Sequence, residues 1–488
     1  YQGLLALAAP SLRENGPGGL SGTPTIAKSE LDSRMLHWFQ VLRQARAAIE
    51  RLFLCFRSVL EEFMQQGANG NGREKGSRGR GHERPDQPLR LNGSIRHLST
   101  WMETEQAWQQ TSQKLQAVID LANEAEKIIL TAQRNRNRLD VGSGEDSSVA
   151  SELVAAAHQL AEQKSLAQHA LTLGESESVY WLRTPQSPPS FAQNAGAQRE
   201  SSALVQPVEN APVLYSQIVQ TSAFLKRRLL QEQNATIFAG TALSVDSSFS
   251  FMRNRFGLES DSCPASSVVA EHHEQTLLYL PDDVSEPNSP QYQRHLDDTL
   301  IQLATALDGQ VVALFTSHAS LRSTYAAIKP LLEARGILVL GQGVDGSPRQ
   351  LLQIFQTQER IVILGTGSFW DGIDDIARTP ACLFIARLPM PVLNDPPIAA
   401  RVEQYSDQLH QLTIPIASLR LKRVLNRLAW SDTRRNAVVL FDRRLTSKEY
   451  GAMVLHSLPR CSQRQGAGSH MAETILDWLT GTGSWESD

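Results

Sequence analysis

Two hydrophobic periods divide this chain. From Met35 a seven-residue row appears, with Met35, Leu42, Ile49, Phe56 and Phe63 at one position and Trp38, Ala45, Leu52 and Val59 three residues later. A repeat of that length makes a narrow seam that must pack on another helix. It stops at Gly67 and resumes with Trp101, Trp108, Leu115, Ala122 and Ile129, flanked by Val118 and Ala125. Gly142 and Gly144 break it again, and Val149, Leu153, Leu160, Ala167 and Leu171 predict a third helix. Residues 31–178 therefore read as an antiparallel helical domain. Its tip, 67–93, sets Arg73, Lys75, Arg78, Arg80 and Arg84 among glycines, a low-complexity composition that predicts a mobile, solvated loop.

After Pro290 the period changes. Short apolar runs at Val311–Thr316, Ile337–Leu340, Ile361–Leu364, Cys382–Ala386 and Ala437–Phe441 alternate with helical stretches at Tyr292–Leu307, Ser320–Arg335 and Pro348–Phe355, near Pro397–Asp407, and at Pro415–Trp430. That alternation predicts βαβ units and a parallel sheet. Residues 1–30, rich in Gly, Pro and Ser, read as a linker or truncated start. The Tyr180–Asn210 stretch reads as a long connection, Ile218–Leu230 as a helix and Ala235–Phe238 as a short strand. In parallel sheets function collects at the carboxyl ends of strands, which is where Thr316, Ser317, Gly365 to Ser368 and Asp442 fall.

Composition narrows the choices. A chain of 488 residues has room for two or three domains. Its net charge of −4 gives no global positive field, so a nucleic-acid partner needs a local patch. The best one is Arg420, Lys422, Arg423, Arg434, Arg435, Arg443 and Arg444. Cys55, Cys263, Cys382 and Cys461 lie too far apart for a local zinc or iron-sulfur knuckle, so no iron-sulfur cluster is expected. The Glu271-His-His-Glu274 cluster fits surface polarity better than metal, because adjacent histidines point to different sides of a helix or strand. No run is long and apolar enough to span a bilayer, and Gly3–Pro10 lacks a basic lead-in, so the expectation is a cytoplasmic protein without a membrane partner.

The densest stretch is Arg360-Ile-Val-Ile-Leu-Gly-Thr-Gly-Ser-Phe-Trp-Asp-Gly-Ile-Asp374, a buried strand ending in glycines and followed by acids. Alone it suggests either a phosphate cradle or a tight turn. It is preceded by Leu314-Phe-Thr-Ser-His318 and Gln342-Gly343, and followed by Arg387-Leu-Pro-Met-Pro-Val392 and a segment closing in Phe441-Asp-Arg-Arg444. In that order the five motifs resemble the second motor domain of DinG-type helicases, in the XPD-like branch of superfamily 2, over roughly 211–462.

The resemblance implies a RecA-like α/β motor domain over 261–488 preceded by an all-α arch-like domain. Residues 179–260 would join them and close the first motor domain. It also implies ATP-dependent helicase activity on single-stranded or forked DNA, a part in DNA repair, and ATP with Mg2+ held mainly by a first motor domain upstream or on another chain. Thr316, Ser317, Gly365, Thr366 and Ser368 would hold the nucleic-acid backbone. Gly372, Asp374 and Arg427 would face the nucleotide, Asp374 and Arg427 as catalytic residues, and Thr241 would lie in the coupling segment.

The chain departs from the family at four points. The Gln-x-x-Gly-Arg-x-x-Arg motif reads Arg423-Val-Leu-Asn426-Arg427-Leu-Ala-Trp430, and a tryptophan cannot supply an arginine's bidentate fork. The coupling segment reads Ala239-Gly-Thr241-Ala-Leu-Ser244. Asp371 replaces a glutamate, and residues 1–488 contain neither a G-x-x-x-x-G-K-[ST] loop nor an Asp-Glu-x-His box. The second reading is accordingly a degenerate, non-enzymatic helicase-like module that binds nucleic acid or a scaffold partner. A dinucleotide enzyme on a doubly wound sheet ranks last, since Gly365-x-Gly367 lacks the third glycine at the right spacing.

Overall fold

The structure is a computed structural model describing residues 28–70, 88–137, 145–172, 177–184, 212–231, 235–258, 263–267, 275–372, 378–428 and 434–482. Asp374, Trp430, the 271–274 cluster and most of the 67–93 tip lie outside these residues. The chain divides into two compact units, 1–219 and 220–488.

The first unit is built on helices α1 (Lys28–Gly70), α2 (Trp101–Asn137) and α3 (Glu145–Thr172), with α2 packed against both neighbours. The predicted seam closes only along part of α1. Ala45, Leu52, Phe56 and Val59 are buried with Trp101, Trp108 and Leu115, whereas Leu42 stays exposed. Glu62 of α1 fixes the start of α2, its carboxylate accepting from the Ser99 and Thr100 amides at 2.9 and 3.0 Å and from the Thr100 hydroxyl at 2.8 Å. Those bonds hold the Glu62 carboxyl down at about 2.

A small antiparallel sheet completes this unit, in the order β1 (Leu89–Arg90), β2 (Ser178–Arg183), β3 (Val213–Ile218). The sequence reading missed it, taking part of β2 as connection. Its inward residues Leu89, Leu182 and Leu214 join the helical core, so the strands complete the apolar floor beneath the helices.

The second unit is a seven-stranded parallel sheet in the order β10-β4-β9-β8-β5-β7-β6. The strands are β4 (Thr276–Pro281), β5 (Val311–Phe315), β6 (Leu338–Gly341), β7 (Ile361–Thr366), β8 (Cys382–Ile385), β9 (Asn436–Leu440) and β10 (Ser462–Gly466). Its inner strands are buried on both faces, as crossover helices require. Along β5, Val311, Ala313 and Phe315 enter one core while Val312 and Leu314 enter the other. The connecting helices include α4 (Tyr292–Ala306), α5 (His318–Glu333), α6 (Pro348–Thr357), the single turn α7 (Ser368–Asp371), α8 (Ile414–Leu428) and α9 (Gly468–Thr480).

Two features set the alignment of the central strands. The turn into β5 runs through Asp308, Gly309 and Gln310, all at positive φ. A Cβ on Gly309 would lie 2.5 Å from the Ile361 amide nitrogen at the foot of β7. Farther along, β5 and β7 pair Phe315 with Thr366, so their following loops leave the sheet side by side.

Residues 235–240 form no strand. With no neighbouring strand as partner, the segment that follows gives its carbonyls to side chains of α8 instead.

Candidate nucleic-acid and nucleotide site

Because every strand of the larger sheet runs the same way, the residues after β5, β6, β7, β8 and β9 gather along one edge. Thr316 and Ser317 follow β5 and are exposed. Ser317 caps α5, its hydroxyl accepting from the Ser320 amide at 3.2 Å. The first turn of a 16-residue helix thus faces this edge with unsatisfied amides, a favourable place for an anion. Desolvation, with Arg322 nearby, pushes the adjacent His318 below its ordinary value.

The glycine loop after β7 divides by role. Gly365 lies inside the strand, where an added Cβ would meet the Phe369 ring at 2.4 Å, so here glycine makes room for an aromatic side chain. The Thr366 amide donates to Gln342 Oε1 at 2.8 Å and is buried. Gly367 turns the chain at φ +51, and Gly367 and Ser368 are exposed beside Thr316. Gln342, itself buried after β6, also donates from Nε2 to Ser368 Oγ at 3.0 Å. One side chain therefore pins both the strand end and the exposed hydroxyl. In the sequence the only sign of this task for Gln342 is a polar residue placed directly after a buried parallel strand.

Trp370 ties this loop to β5 by donating from Nε1 to the Phe315 carbonyl at 2.8 Å. Over its ring, 5.4 Å from the centroid, lies the Arg420 guanidinium. Arg420 also reaches the Gly367 carbonyl at 3.4 Å and Asp371 at 3.7 Å, and Arg423 donates to the Asp371 carbonyl at 3.3 Å. Arg420, Arg423 and Arg427 are spaced as one stripe of α8, with Arg427 in its last turn.

A second stripe of the same helix holds the 241–244 segment. Lys422 Nζ donates to the Ser244 hydroxyl at 2.8 Å and its carbonyl at 3.1 Å, and Asn426 Nδ2 donates to the Thr241 carbonyl. Burial lowers the Lys422 pKa. Ser457 Oγ accepts from the Asp246 amide at 2.8 Å, fixing the far end of the segment. Thr241 is thus placed against the helix that carries Arg427, and Asn426, standing where the resembled motif has glycine, makes the contact.

Next to this edge, buried Asp442 accepts from the Leu388 amide at 2.8 Å and from Arg444 Nη2 at 2.6 Å and Nε at 2.9 Å. Tyr292 donates to the Ala386 and Phe441 carbonyls, closing the ends of β8 and β9. This network aligns the loops; its donors and acceptors are already paired with one another.

Residues 300–461 match the family described as the helicase C-terminal domain. Those residues therefore carry a helicase C-terminal domain, and the region is similar to DinG and YoaA proteins. Relatives of this helicase region include "3'-5' exonuclease DinG" of Bacillus subtilis, 26% identical over 54% of this chain and 29% of that protein. "ATP-dependent DNA helicase YoaA" of Escherichia coli is 29% identical over 48% of this chain and 37% of its own length. The chain therefore spans about a third of the length of these relatives. A solved structure described as "XPD_APO" is similar at 14% identity over 72% of each chain, with a TM-score of 0.38. The matched residues contain β5 to β9 of the parallel sheet, with β4 and β10 just outside the match, and the helical unit precedes this α/β region in the chain. Among the described residues no helix is long and apolar enough to cross a membrane.

Proposed function

We propose that this chain supplies the second motor domain and arch-like helical region of an ATP-dependent DNA helicase that grips and moves along single-stranded DNA. The observation that carries this reading is the convergence of Thr316, Ser317, Gly367 and Ser368 on one exposed edge, backed by the arginine stripe of α8. Hydroxyls and open amides at strand and helix ends suit phosphate oxygens, which position a strand without reading its sequence. Arg427, in the last turn of α8, would meet the charge that develops on the nucleotide phosphates, with Gly372 and Asp374 following the same loop. These residues fit only one side of a nucleotide, so most contacts to ATP and Mg2+ fall to a first motor domain. Domain boundaries near 178 and 260, a cytoplasmic location and a part in DNA repair belong to the same proposal.

A second reading, a nucleic-acid-binding module without hydrolysis, draws on the α8 contacts. Asn426 and Arg423 occupy motif positions yet are engaged with Thr241 and Asp371. Two measurements separate the readings. Fluorescence anisotropy with a labelled oligothymidylate should show binding by the chain, weakened by Thr316→Val with Ser317→Ala. DNA-stimulated hydrolysis by the complete gene product should fall about 10³-fold in Arg427→Ala if the motor reading holds. Binding without any hydrolysis in the wild type supports the non-enzymatic module, and absence of binding defeats both.

A further inference from the structure

The outward face of the β1–β2–β3 sheet carries a side-chain row that the edge site does not use. Register places Arg90 opposite Trp181 and Trp181 opposite Tyr215, so the three stand side by side across the strands. They lie on the face away from Leu89, Leu182 and Leu214, which enter the helical core. The Trp181 and Tyr215 rings are parallel, 5.2 Å between centroids and 8° between planes. Tyr215 is 36% exposed on β3, which among the described residues pairs only with β2. Two residues along, Arg183 is exposed opposite Val213, itself 37% exposed. Glu177 immediately precedes β2, at the end of the strand away from Arg183.

We propose that this face is a stacking platform for the bases of single-stranded nucleic acid, distinct from the strand-end site and resting on the proposed function. A parallel ring pair whose outer member is exposed accepts a third π-plane, and every base presents one regardless of sequence. Arg90, opposite Trp181, and Arg183, two residues along β2, put positive charge on the same face, which suits the phosphates of a strand whose base stacks on Tyr215. That charge is what favours nucleic acid over a protein partner, since the centre of a protein interface is depleted of charged residues.

The test uses the full chain and two ligands with equal phosphate number, an oligothymidylate and its abasic counterpart. Trp181→Ala and Tyr215→Ala should each weaken thymidylate binding about 5- to 100-fold, the range for loss of one stacked base. Abasic binding should stay unchanged, and Trp181→Phe and Tyr215→Phe should restore most of the thymidylate affinity. Arg183→Ala should instead weaken both ligands and reduce the salt dependence. Iodouracil-substituted oligonucleotide should crosslink to the peptide containing Tyr215 in the wild-type protein, a readout independent of how the variants fold. Alanine variants that bind like wild type, or crosslinks that avoid both β2 and β3, overturn the proposal. If Thr316 and Ser317 substitutions weaken binding while these do not, only the platform fails; if the wild type binds no oligonucleotide, the functional reading fails with it.

Discussion

At the scale of single residues, the glycine loop owes its shape to packing and to one amide side chain. Gln342→Ala removes the acceptor of a buried amide at Thr366, which should cost about 1–3 kcal/mol in urea unfolding. Gly365→Ala forces a methyl group into the Phe369 ring and should cost a similar 1–3 kcal/mol. Because the clash is with the Phe369 ring, Gly365→Ala/Phe369→Ala should be less destabilised than the sum of the two single variants, and simple additivity would contradict the packing role. The charge at Glu62 gives a pH signature. Its folded value of about 2 lies below the ordinary 4.5, so its contribution is complete above 4.5 and is lost as pH falls from there toward 2. Glu62→Gln should therefore flatten the acid limb of stability in that window while leaving the slope above pH 5 unchanged. Parallel acid limbs for variant and wild type would remove the carboxylate from that role.

Among the elements, α8 does two things at once. Its arginine stripe faces the 367–371 loop, and Lys422 and Asn426 hold the 241–244 carbonyls. Lys422→Met combined with Asn426→Gly should speed amide hydrogen exchange across 241–246 and leave exchange in the central strands unchanged. Unaltered exchange in that segment would mean that other contacts fix it. The alternating apolar runs made β5 to β9 legible in the sequence because strands buried on both faces leave little ambiguity. The β2–β3 pair was hidden for the opposite reason. Outward Trp181 and Tyr215 interrupt the simple apolar-in, polar-out alternation of two strands that face the helical core on one side only. The Ala235–Phe238 run had strand composition, but composition cannot supply a pairing partner.

At the scale of the molecule, the sequence located the strand-end residues and their order. It could not say which of them reach the surface. Thr316, Ser317 and Ser368 do, whereas Gly365 and Thr366 are enclosed by contacts to Phe369 and Gln342, residues distant or unremarked in the linear pattern. Spacing predicts a loop, and only three-dimensional packing assigns its amides. The tight turn at Gly309 carries this lesson to the opposite side of the sheet. Because its backbone abuts Ile361, it acts as the origin from which β5 and β7 are measured, and Thr316 and Gly367 meet only while that origin holds. Gly309→Val should then behave as an allele that silences the proposed DNA-binding edge with every edge residue intact. In such an allele, oligonucleotide affinity would fall together with the exchange protection of β5 and β7, and a genetic screen would score a binding defect at a position no ligand touches.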